Sequence, residues 1–200
     1  MKRNELKSRV SKALGCIQHG SSDFDLNPSV QLPVGRKLRP AAVLVALQQV
    51  DASTQVVLTQ RASHLKHHAG QVAFPGGKQE ETDDDLVQTA LREAREEIGL
   101  DPKIVEILGA MPPHETVTGF KVTPVLGLIR ERFIPDPDQN EVAEAFLVPL
   151  SHVMDKTKYS IQGRRWRGQR RRYYTVPFGP YYIWGATARI LRALAEGMAE

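Results

Sequence analysis

The chain has 200 residues and a mass of 22.3 kDa, with 41% hydrophobic and 25% charged residues. These values are near the averages of globular proteins and exclude a wholly disordered chain, a coiled-coil rod and a collagen-like fibre. At roughly 150 residues per domain, the length indicates about one domain. The net charge is +4 and the pI is about 9.3, which taken alone suggests a nucleic-acid partner.

Cysteine content and hydropathy indicate where the protein works. The single cysteine, Cys16, cannot form an internal disulfide, which suits a reducing compartment. No segment approaches the ~20 apolar residues that a membrane-spanning helix needs. Residues 1–12 are basic but lack the apolar core of a secretory signal. We therefore expect a cytoplasmic protein with no membrane partner.

Apolar spacing predicts helices and strands that interleave along the chain, which indicates an α/β class. Residues 3–18 place apolar side chains on one face of a helix, and a Gly-, Ser-, Asp- and Pro-rich loop follows at 20–39. We divide the chain into an N-terminal helix and loop, residues 1–34, and a main domain, residues 35–200. The remaining predicted elements are strands at 41–47, 55–59 and 71–74, a helix at 83–98, strands at 104–108, 122–129 and 145–148, a short helix capped by Ser151, a basic loop at 164–172 and a helix at 187–198.

The helix at 83–98 has the clearest predicted boundaries. Thr82 is the expected N-cap, and the aspartates that follow it suit the positive end of the helix dipole. Gly99 is the expected C-terminal stop, because glycine adopts the left-handed conformation that commonly ends a helix.

Three glutamates of this helix, Glu93, Glu96 and Glu97, fall within about 100° of each other on a helical wheel, at one margin of the apolar face. Like charges four residues apart cost a few tenths of a kcal/mol per pair, and carboxylates in the last turns oppose the helix dipole at roughly 0.3–1 kcal/mol each. A divalent cation would relieve both costs, and magnesium takes such oxygen ligands. The alternative is a solvated acidic face that Arg92 and Arg95 partly neutralise.

The sequence around these glutamates resembles a known motif. Residues 92–100, Arg-Glu-Ala-Arg-Glu-Glu-Ile-Gly-Leu, match the REUxEExGU half of the Nudix box, in which U is aliphatic. In the upstream half, the glycine stands fifteen residues before the arginine, where the usual box has fourteen. The acidic position falls on Asp84 by strict count, or on Asp83 if one residue is inserted. The chain thus resembles the Nudix hydrolases, with a box at about residues 77–100.

Residues 58–77 resemble a narrower signature, that of the coenzyme A pyrophosphatase branch, which shares the longer box. Ala62 stands where this branch usually has Ser, and Lys66 where it has Arg, which keeps the charge but loses the bidentate fork. Residues 182–188 also resemble the C-terminal segment of the branch. The matching residues of the signature are Leu58, Thr59, Arg61, Leu65, His68, Gly70, Val72, Phe74, Pro75, Gly76 and Gly77.

The resemblance implies an α/β/α sandwich around a mixed sheet, here with an additional N-terminal helix and a C-terminal helix. It implies that Glu93, Glu96 and Glu97 bind Mg²⁺ or Mn²⁺, with Glu93 and Glu97, which are four residues apart, as the favoured pair. It also implies that water hydrolyses a diphosphate joined to a nucleoside. Metal ions neutralise phosphate oxygens, activate water and hold the attack in line. The resemblance further implies that Arg92 braces the box loop through carboxylates, and that Gly76 and Gly77 let the backbone approach a phosphate.

A general base is also needed, and its position varies within the family. The candidates are one of the box glutamates, Glu141 or Glu144 before the strand at 145–148, and His114. We take Glu141 as the candidate catalytic residue among those outside the box. The alternative for Glu141 and Glu144 is ordinary solvation in a loop.

Coenzyme A, as substrate, would give 4′-phosphopantetheine and adenosine 3′,5′-bisphosphate, so basic groups are expected beyond the diphosphate. Candidates near the box are Arg61, Lys66, His68 and its neighbour His67. Arg170 is a candidate from residues 164–172, which hold six arginines and are followed by aromatic residues. For that stretch we weigh three interpretations: a solvated loop, a contact with the 3′-phosphoadenosine of the substrate, and RNA binding.

Three functions therefore compete. The first is a metal-dependent diphosphatase of coenzyme A or acyl-coenzyme A. The second is a Nudix diphosphatase acting on ADP-ribose, dinucleotides or capped RNA, and the third is a non-catalytic nucleic-acid-binding domain. The intact glutamate set disfavours the third. Eight acidic residues within 80–97 also offset the arginines, so the pI alone does not indicate nucleic acid. The sequence leaves the oligomeric state open, with a homodimer as one option.

Overall fold

The computed structural model describes residues 3–30, 32, 35–166 and 169–199, and all structural statements below concern these residues. They form a nine-stranded sheet, a separate two-stranded hairpin and four α-helices. The helices are α1 (Arg3–Cys16), α2 (Leu86–Ile98), α3 (Leu150–Met154) and α4 (Gly185–Gly197). The strands are β1 (Ser21–Ser22), β2 (Arg39–Val50), β3 (Ser53–Arg61), β4 (Val72–Ala73), β5 (Gly76–Lys78), β6 (Val105–Ala110), β7 (His114–Glu115), β8 (Phe120–Ile129), β9 (Val142–Pro149), β10 (Ser160–Trp166) and β11 (Gln169–Thr175).

The centre of the sheet is the parallel pair β2 and β8, whose register runs from Arg39 opposite Phe120 to Gln48 opposite Ile129. Every other pairing in the described sheet is antiparallel except that of β1 with β7. The strands β3 and β5 pair with β2, the strands β6 and β7 pair with β8, and β4 and β9 pair with β3. The sheet is therefore mixed, as predicted.

Helices cover both faces of the sheet because side chains alternate along its central strands. On β2, Leu44 and Ala46 pack with the apolar face of α2, whereas Val45 and Leu47 pack with α1, α3 and α4. The N-terminal helix contributes Leu6 to the same core as α4. These two cores confirm the α/β/α sandwich. No helix in the described part of the chain is long and apolar enough to cross a membrane.

Several predicted boundaries differ from the structure. Helix α2 begins at Leu86 and its N-cap is Asp85, so the prediction of Thr82 as the cap was wrong. Helix α3 contains Ser151 in its first turn and is preceded by Pro149, so Ser151 does not cap it. The terminal helix begins at Gly185, two residues before the predicted start.

The basic stretch at 164–172 was predicted as a loop, but its described residues belong to the hairpin of β10 and β11. Arg164 lies opposite Arg171, and Arg165 lies opposite Arg170. Arg167 and Gly168 lie outside the described residues. The arginines of this stretch are mostly exposed, so it lacks the alternation of apolar and polar residues that indicates a half-buried strand.

Candidate active site

Helix α2 is fixed at both ends, which orients its carboxylates. The Asp85 side chain accepts a hydrogen bond from the backbone N–H of Gln88 at 2.8 Å. At the other end, Gly99 has a φ of 71°, and its N–H donates to the carbonyl of Arg95 at 3.0 Å. Ala90 and Ala94 are buried against the sheet, so the carboxylates beside this buried face are placed near β5.

Arg92 holds the loop that precedes α2. Its guanidinium donates to both carboxylate oxygens of Asp83, from Nε at 2.9 Å and from Nη2 at 3.0 Å. Nη2 also donates to the carbonyl of Lys78 at 3.0 Å. The hydrogen bonds from Arg92 hold the pKa of Asp83 well below its usual range. The motif allowed Asp83 or Asp84 at the acidic position of the box, and in the structure Asp83 is the one that binds Arg92.

The third guanidinium nitrogen of Arg92 lies between two box glutamates. Nη1 donates to Glu93 at 3.1 Å and to Glu96 at 2.9 Å. The Glu96 side chain is 59% exposed, whereas Glu93 is largely buried. Burial raises the pKa of Glu93, although the neighbouring guanidinium lowers it. Arg92 is partly buried, and all three of its guanidinium nitrogens take part in this network.

Glu97 is the most buried carboxylate of the box, with a side chain only 4% exposed. One of its oxygens, Oε2, accepts a hydrogen bond from the N–H of Gly76 at 3.1 Å, and Oε1 lies 3.5 Å from Nη1 of Arg61. Burial raises the pKa of Glu97 to about 8, and the charges of Glu93 and Glu141 act in the same direction. The N–H of Gly76 and the charge of Arg61 lower the pKa of Glu97, but they do not outweigh the effect of burial.

The two glycines of β5 leave room for different neighbours. A Cβ on Gly76 would lie 2.4 Å from the carbonyl oxygen of Ala42 and 2.6 Å from Cα of Val43. A Cβ on Gly77 would lie 2.3–2.6 Å from the carboxylate atoms of Glu93. The absence of a side chain at Gly76 thus allows β5 to pair with β2, and its absence at Gly77 forms a cradle for the Glu93 carboxylate.

Glu141 lies in the segment that borders this cradle. Its carbonyl accepts from the N–H of Ala62 at 2.9 Å, and the N–H of Asp138 donates to the carbonyl of Glu97 at 3.0 Å. The charge of Glu141 contributes to the raised pKa of both Glu93 and Glu97. Of the residues considered as a base, Glu141 is thus brought to the two buried box carboxylates.

The other candidate bases have partners elsewhere. The carboxylate of Glu144 accepts a hydrogen bond from the hydroxyl of Tyr181 at 2.7 Å. His114 is fully buried, with Nδ1 2.9 Å from Oγ of Ser21 and Nε2 3.2 Å from Oδ1 of Asp23. His114 therefore joins the segment around β1 to β7.

The box carboxylates do not form a complete metal shell. Among the described residues, no group of three or more His, Cys, Asp and Glu side chains is arranged to hold a metal ion. Glu93 and Glu96 both accept a hydrogen bond from Arg92, but Glu96 is 59% exposed, and the described structure does not bring all three predicted glutamates together as a metal shell. The remaining pair, Glu93 and Glu97, still fits a hard divalent cation, because both are buried oxygen donors beside the glycine cradle of β5. Magnesium needs only one or two carboxylates when substrate phosphates supply other ligands.

The predicted substrate-binding residues lie in different places. Arg61, at the end of β3, reaches Glu97, whereas Lys66 and His68 are exposed in the loop between β3 and β4. His68 has a φ of 57°, unusual for a residue with a side chain, and its Nδ1 lies 2.9 Å from Oε1 of Gln71. Arg170 is exposed on the hairpin, near Gly163.

A link that the sequence did not indicate joins the C-terminal region to the sheet beside the site. The Tyr181 ring stacks on Phe146 at 3.5 Å between centroids, and its hydroxyl reaches Glu144 on β9. The clustering of aromatic residues after the basic stretch suggests that this segment packs on the domain, but it does not indicate that β9 is the partner strand.

Comparisons with known proteins agree with this architecture. A family model described as the NUDIX domain matches residues 37–166. The chain is 41% identical over 183 residues to a protein of Pectobacterium atrosepticum named "Uncharacterized Nudix hydrolase NudL", covering 90% of this chain and 95% of that protein. It is 43% identical over 157 residues to the NudL of an Enterobacter species, covering 78% and 81%. A Nudix hydrolase structure from M. smegmatis, RenU, is similar with a TM-score of 0.49 at 24% identity, over 60% of this chain and 74% of that one.

The sandwich, the box helix and the buried carboxylates beside two glycines define a protein of the Nudix class. The chain belongs to the NUDIX family, because the family model covers more than half of it and the curated relatives match it over most of their length. Nudix hydrolases act on pyrophosphate bonds and generally use divalent metal ions.

Proposed function

We propose that this protein hydrolyses the diphosphate bond of coenzyme A and its derivatives, giving 4′-phosphopantetheine and adenosine 3′,5′-bisphosphate. The observation that carries the proposal is the contact between the narrower signature and the box. Arg61 and Gly76 both belong to the signature at 58–77, and both reach the carboxylate of Glu97. Residues of the signature that resembles the coenzyme A branch therefore hold the carboxylate of Glu97, which is a proposed metal ligand.

In this proposal, Glu93 and Glu97 hold a Mg²⁺ or Mn²⁺ ion, and Glu96 adds a ligand only if its side chain leaves Arg92. The bound ion supplies charge neutralisation of the diphosphate and activation of the attacking water. Arg92 positions Glu93 and ties the box helix to Asp83. Because Arg92 is already engaged by these carboxylates, its catalytic contribution is to position them and not to contact substrate.

Glu141 is the proposed general base. Its segment is hydrogen-bonded to the backbone of Ala62 and, through Asp138, to the C-terminal end of α2. This attachment fixes the backbone of Glu141 near the end of α2, and the charge of its carboxylate acts on both Glu93 and Glu97. A base must come within hydrogen-bond reach of the proton that it removes.

The substrate-binding proposal covers both sides of the diphosphate. The backbone of β2 closes the space at Gly76, and the Glu93 carboxylate fills the space at Gly77, so these glycines act on a bound diphosphate through the position of Glu93 and not by direct contact. Arg61 provides positive charge at the buried carboxylate, while the exposed Lys66 and His68 can contact groups beyond the diphosphate. We also retain Arg170, which is exposed on the hairpin, as one proposed substrate contact.

We further propose that residues 35–200 form the hydrolase domain and that residues 1–34 form an N-terminal addition that packs on it. The substrate is a small molecule, coenzyme A or acyl-coenzyme A, in the cytoplasm, without a nucleic-acid or membrane partner. A homodimer remains compatible with this proposal.

A substrate panel tests the proposed function. Purified protein is incubated with Mg²⁺ or Mn²⁺ and with coenzyme A, acetyl-coenzyme A, dephospho-coenzyme A, ADP-ribose or NADH, and products are identified by mass spectrometry. We expect adenosine 3′,5′-bisphosphate from coenzyme A and the highest kcat/KM among the coenzyme A forms. Efficient turnover of ADP-ribose or NADH without turnover of coenzyme A would overturn the proposal. The Glu97→Gln variant serves as the control for contaminating hydrolases.

A further inference from the structure

Four side chains of the hairpin and of the segment that follows it form a partly exposed group that the catalytic site does not use. We name Arg164, Tyr173, Tyr182 and Trp184 the tyrosine–arginine surface. Tyr173 meets Trp184 edge to face at 5.1 Å, and the Arg164 guanidinium lies 5.5 Å from the centre of the Trp184 ring. The hydroxyls of Tyr173 and Tyr182 are 3.5 Å apart. Aromatic rings and a guanidinium are thus held together at one place.

This surface is not required to complete the core. Tyr182 is 46% exposed, whereas the next residue, Ile183, is fully buried with the core formed by α1, α3 and α4. The backbone carbonyl of Ile183 accepts from the N–H of Val176 at 2.9 Å, so the segment is already fixed through its main chain. The large exposed ring at Tyr182 is therefore available for a ligand.

Hydrogen bonds on both sides attach the surface to the edge of the sheet nearest the box carboxylates. Before it, the hydroxyl of Tyr181 donates to Glu144 of β9. After it, the hydroxyl of Thr187 donates to the carbonyl of Val72 at 3.0 Å, in the strand that leads to the glycines of β5. Both β9 and β4 pair with the last residues of β3, whose end at Arg61 reaches Glu97.

Strand alternation separates the arginines of the hairpin into two sets. Arg164 is two residues after Gln162, which lies opposite Tyr173, so Arg164 and Tyr173 share one face. Arg165 and Arg170 lie opposite each other and therefore point to the other face. The position of the rings thus favours Arg164 as the arginine that acts together with them.

We propose that the tyrosine–arginine surface binds the 3′-phosphoadenosine end of the substrate, with adenine stacked on Tyr182 and the 3′-phosphate on Arg164. This inference rests on the proposed coenzyme A function and names the residues that select it. Stacking of a base on an aromatic ring is worth about 1–3 kcal/mol and does not depend on a phosphate. An arginine contributes charge and paired donors to a phosphate. Tyr182 and Arg164 thus bind different parts of one ligand, the adenine ring and the 3′-phosphate.

Calorimetric binding tests the surface without any turnover. The probes are adenosine 3′,5′-bisphosphate and 5′-AMP, titrated into the full chain and into the variants Arg164→Ala, Tyr182→Ala and Arg165→Ala. We expect Arg164→Ala to weaken the bisphosphate about tenfold and AMP less than about twofold, since only the former carries the 3′-phosphate. We expect Tyr182→Ala to weaken both about tenfold because both carry adenine. Arg165→Ala, the matched control on the other face, should leave both affinities unchanged.

Kinetics with coenzyme A and dephospho-coenzyme A separates recognition from a structural effect. Arg164→Ala should raise the KM for coenzyme A about tenfold, leave the KM for dephospho-coenzyme A unchanged and keep kcat within about twofold. Equal losses with both substrates, or equal effects of Arg164→Ala and Arg165→Ala, would overturn the assignment. If the unmodified protein prefers ADP-ribose, the proposed function fails. Loss of AMP affinity in Tyr182→Ala would then still support the adenine contact, and unchanged affinity would refute it.

Discussion

Arg92 and Arg164 show two opposite uses of arginine in this molecule. Arg92 donates to Asp83, Glu93, Glu96 and a backbone carbonyl, so its guanidinium is already engaged by protein groups. Arg164 is exposed and lies over the ring of Trp184. The first arginine fixes a set of carboxylates, and the second remains available to a ligand.

The contrast separates catalysis from recognition. Changes in the network of Arg92 and the box carboxylates should lower kcat, because they move groups that act on the diphosphate. Changes in the tyrosine–arginine surface should raise KM for substrates with a 3′-phosphate, because that surface lies beyond the reacting atoms.

Replacing Glu97 by Gln should have the largest effect. The amide cannot ionise and so cannot offer a bound cation the charged carboxylate that is the proposed metal ligand, and we expect kcat to fall at least about 100-fold. Steady-state hydrolysis of coenzyme A at saturating Mg²⁺ measures the change, and circular dichroism checks the fold. The matched variant Glu96→Gln should lose less, because Glu96 is 59% exposed and faces Arg92. Activity near that of the unmodified protein in Glu97→Gln would refute the assignment of this ligand.

Replacing Asp83 by Asn should destabilise the protein. The amide cannot accept both guanidinium hydrogen bonds from Arg92, and loss of a hydrogen bond to a charged group costs about 1.5–3 kcal/mol. Urea unfolding measures the free energy of unfolding. The neighbouring Asp84→Asn is the control, because Asp84 is exposed and should change stability by less than about 0.5 kcal/mol. Equal effects at the two positions would contradict the role given to Asp83.

The two glycines of β5 should respond differently to alanine. Gly76→Ala places a Cβ against backbone atoms of β2, so we expect a loss of about 1–3 kcal/mol in stability. Gly77→Ala meets only the end of the Glu93 side chain, which can move, so we expect little loss of stability but a reduced affinity for Mg²⁺. Thermal unfolding and the Mg²⁺ dependence of turnover distinguish the two. Unchanged Mg²⁺ dependence in Gly77→Ala would show that the cradle does not position Glu93.

The effect of Mg²⁺ on stability should depend on pH. The pKa of Glu97 rises from 4.5 to about 8 on folding, so its contribution to stability is fully present below pH 4.5 and is lost as pH rises toward 8. A cation bound to the ionised carboxylate offsets this loss, so Mg²⁺ should raise the Tm more at pH 8.5 than at pH 6. At 100 times its dissociation constant, a ligand adds about 2.7 kcal/mol. Thermal unfolding with and without Mg²⁺ at both pH values measures the difference, with Glu97→Gln as the control that should abolish it.

The sequence predicted those features of the fold that depend on residues close together in the chain. The spacing of apolar residues in β2 and α2, and the stop at Gly99, are properties of a single element, and the structure agrees with them. The sequence placed the N-cap at Thr82, but tertiary contacts hold Asp83 in the loop before the helix, where it accepts from Arg92 and Thr89. The helix therefore begins later and is capped by Asp85. The four-residue spacing favours Glu93 and Glu97 as the main ligands, but the sequence does not show how deeply Glu97 is buried, because this depends on the distant Gly76 and Arg61.

Competition between coenzyme A and ADP-ribose directly tests the proposed preference of the protein for coenzyme A. Equal concentrations of coenzyme A and ADP-ribose are mixed with the protein and Mg²⁺, and the initial rates of both products are followed by mass spectrometry in one vessel. The ratio of rates gives the ratio of the two kcat/KM values. We predict that coenzyme A is hydrolysed faster than ADP-ribose, and that Arg164→Ala shifts the ratio of the two rates toward ADP-ribose. Preferential consumption of ADP-ribose by the unmodified protein would contradict it.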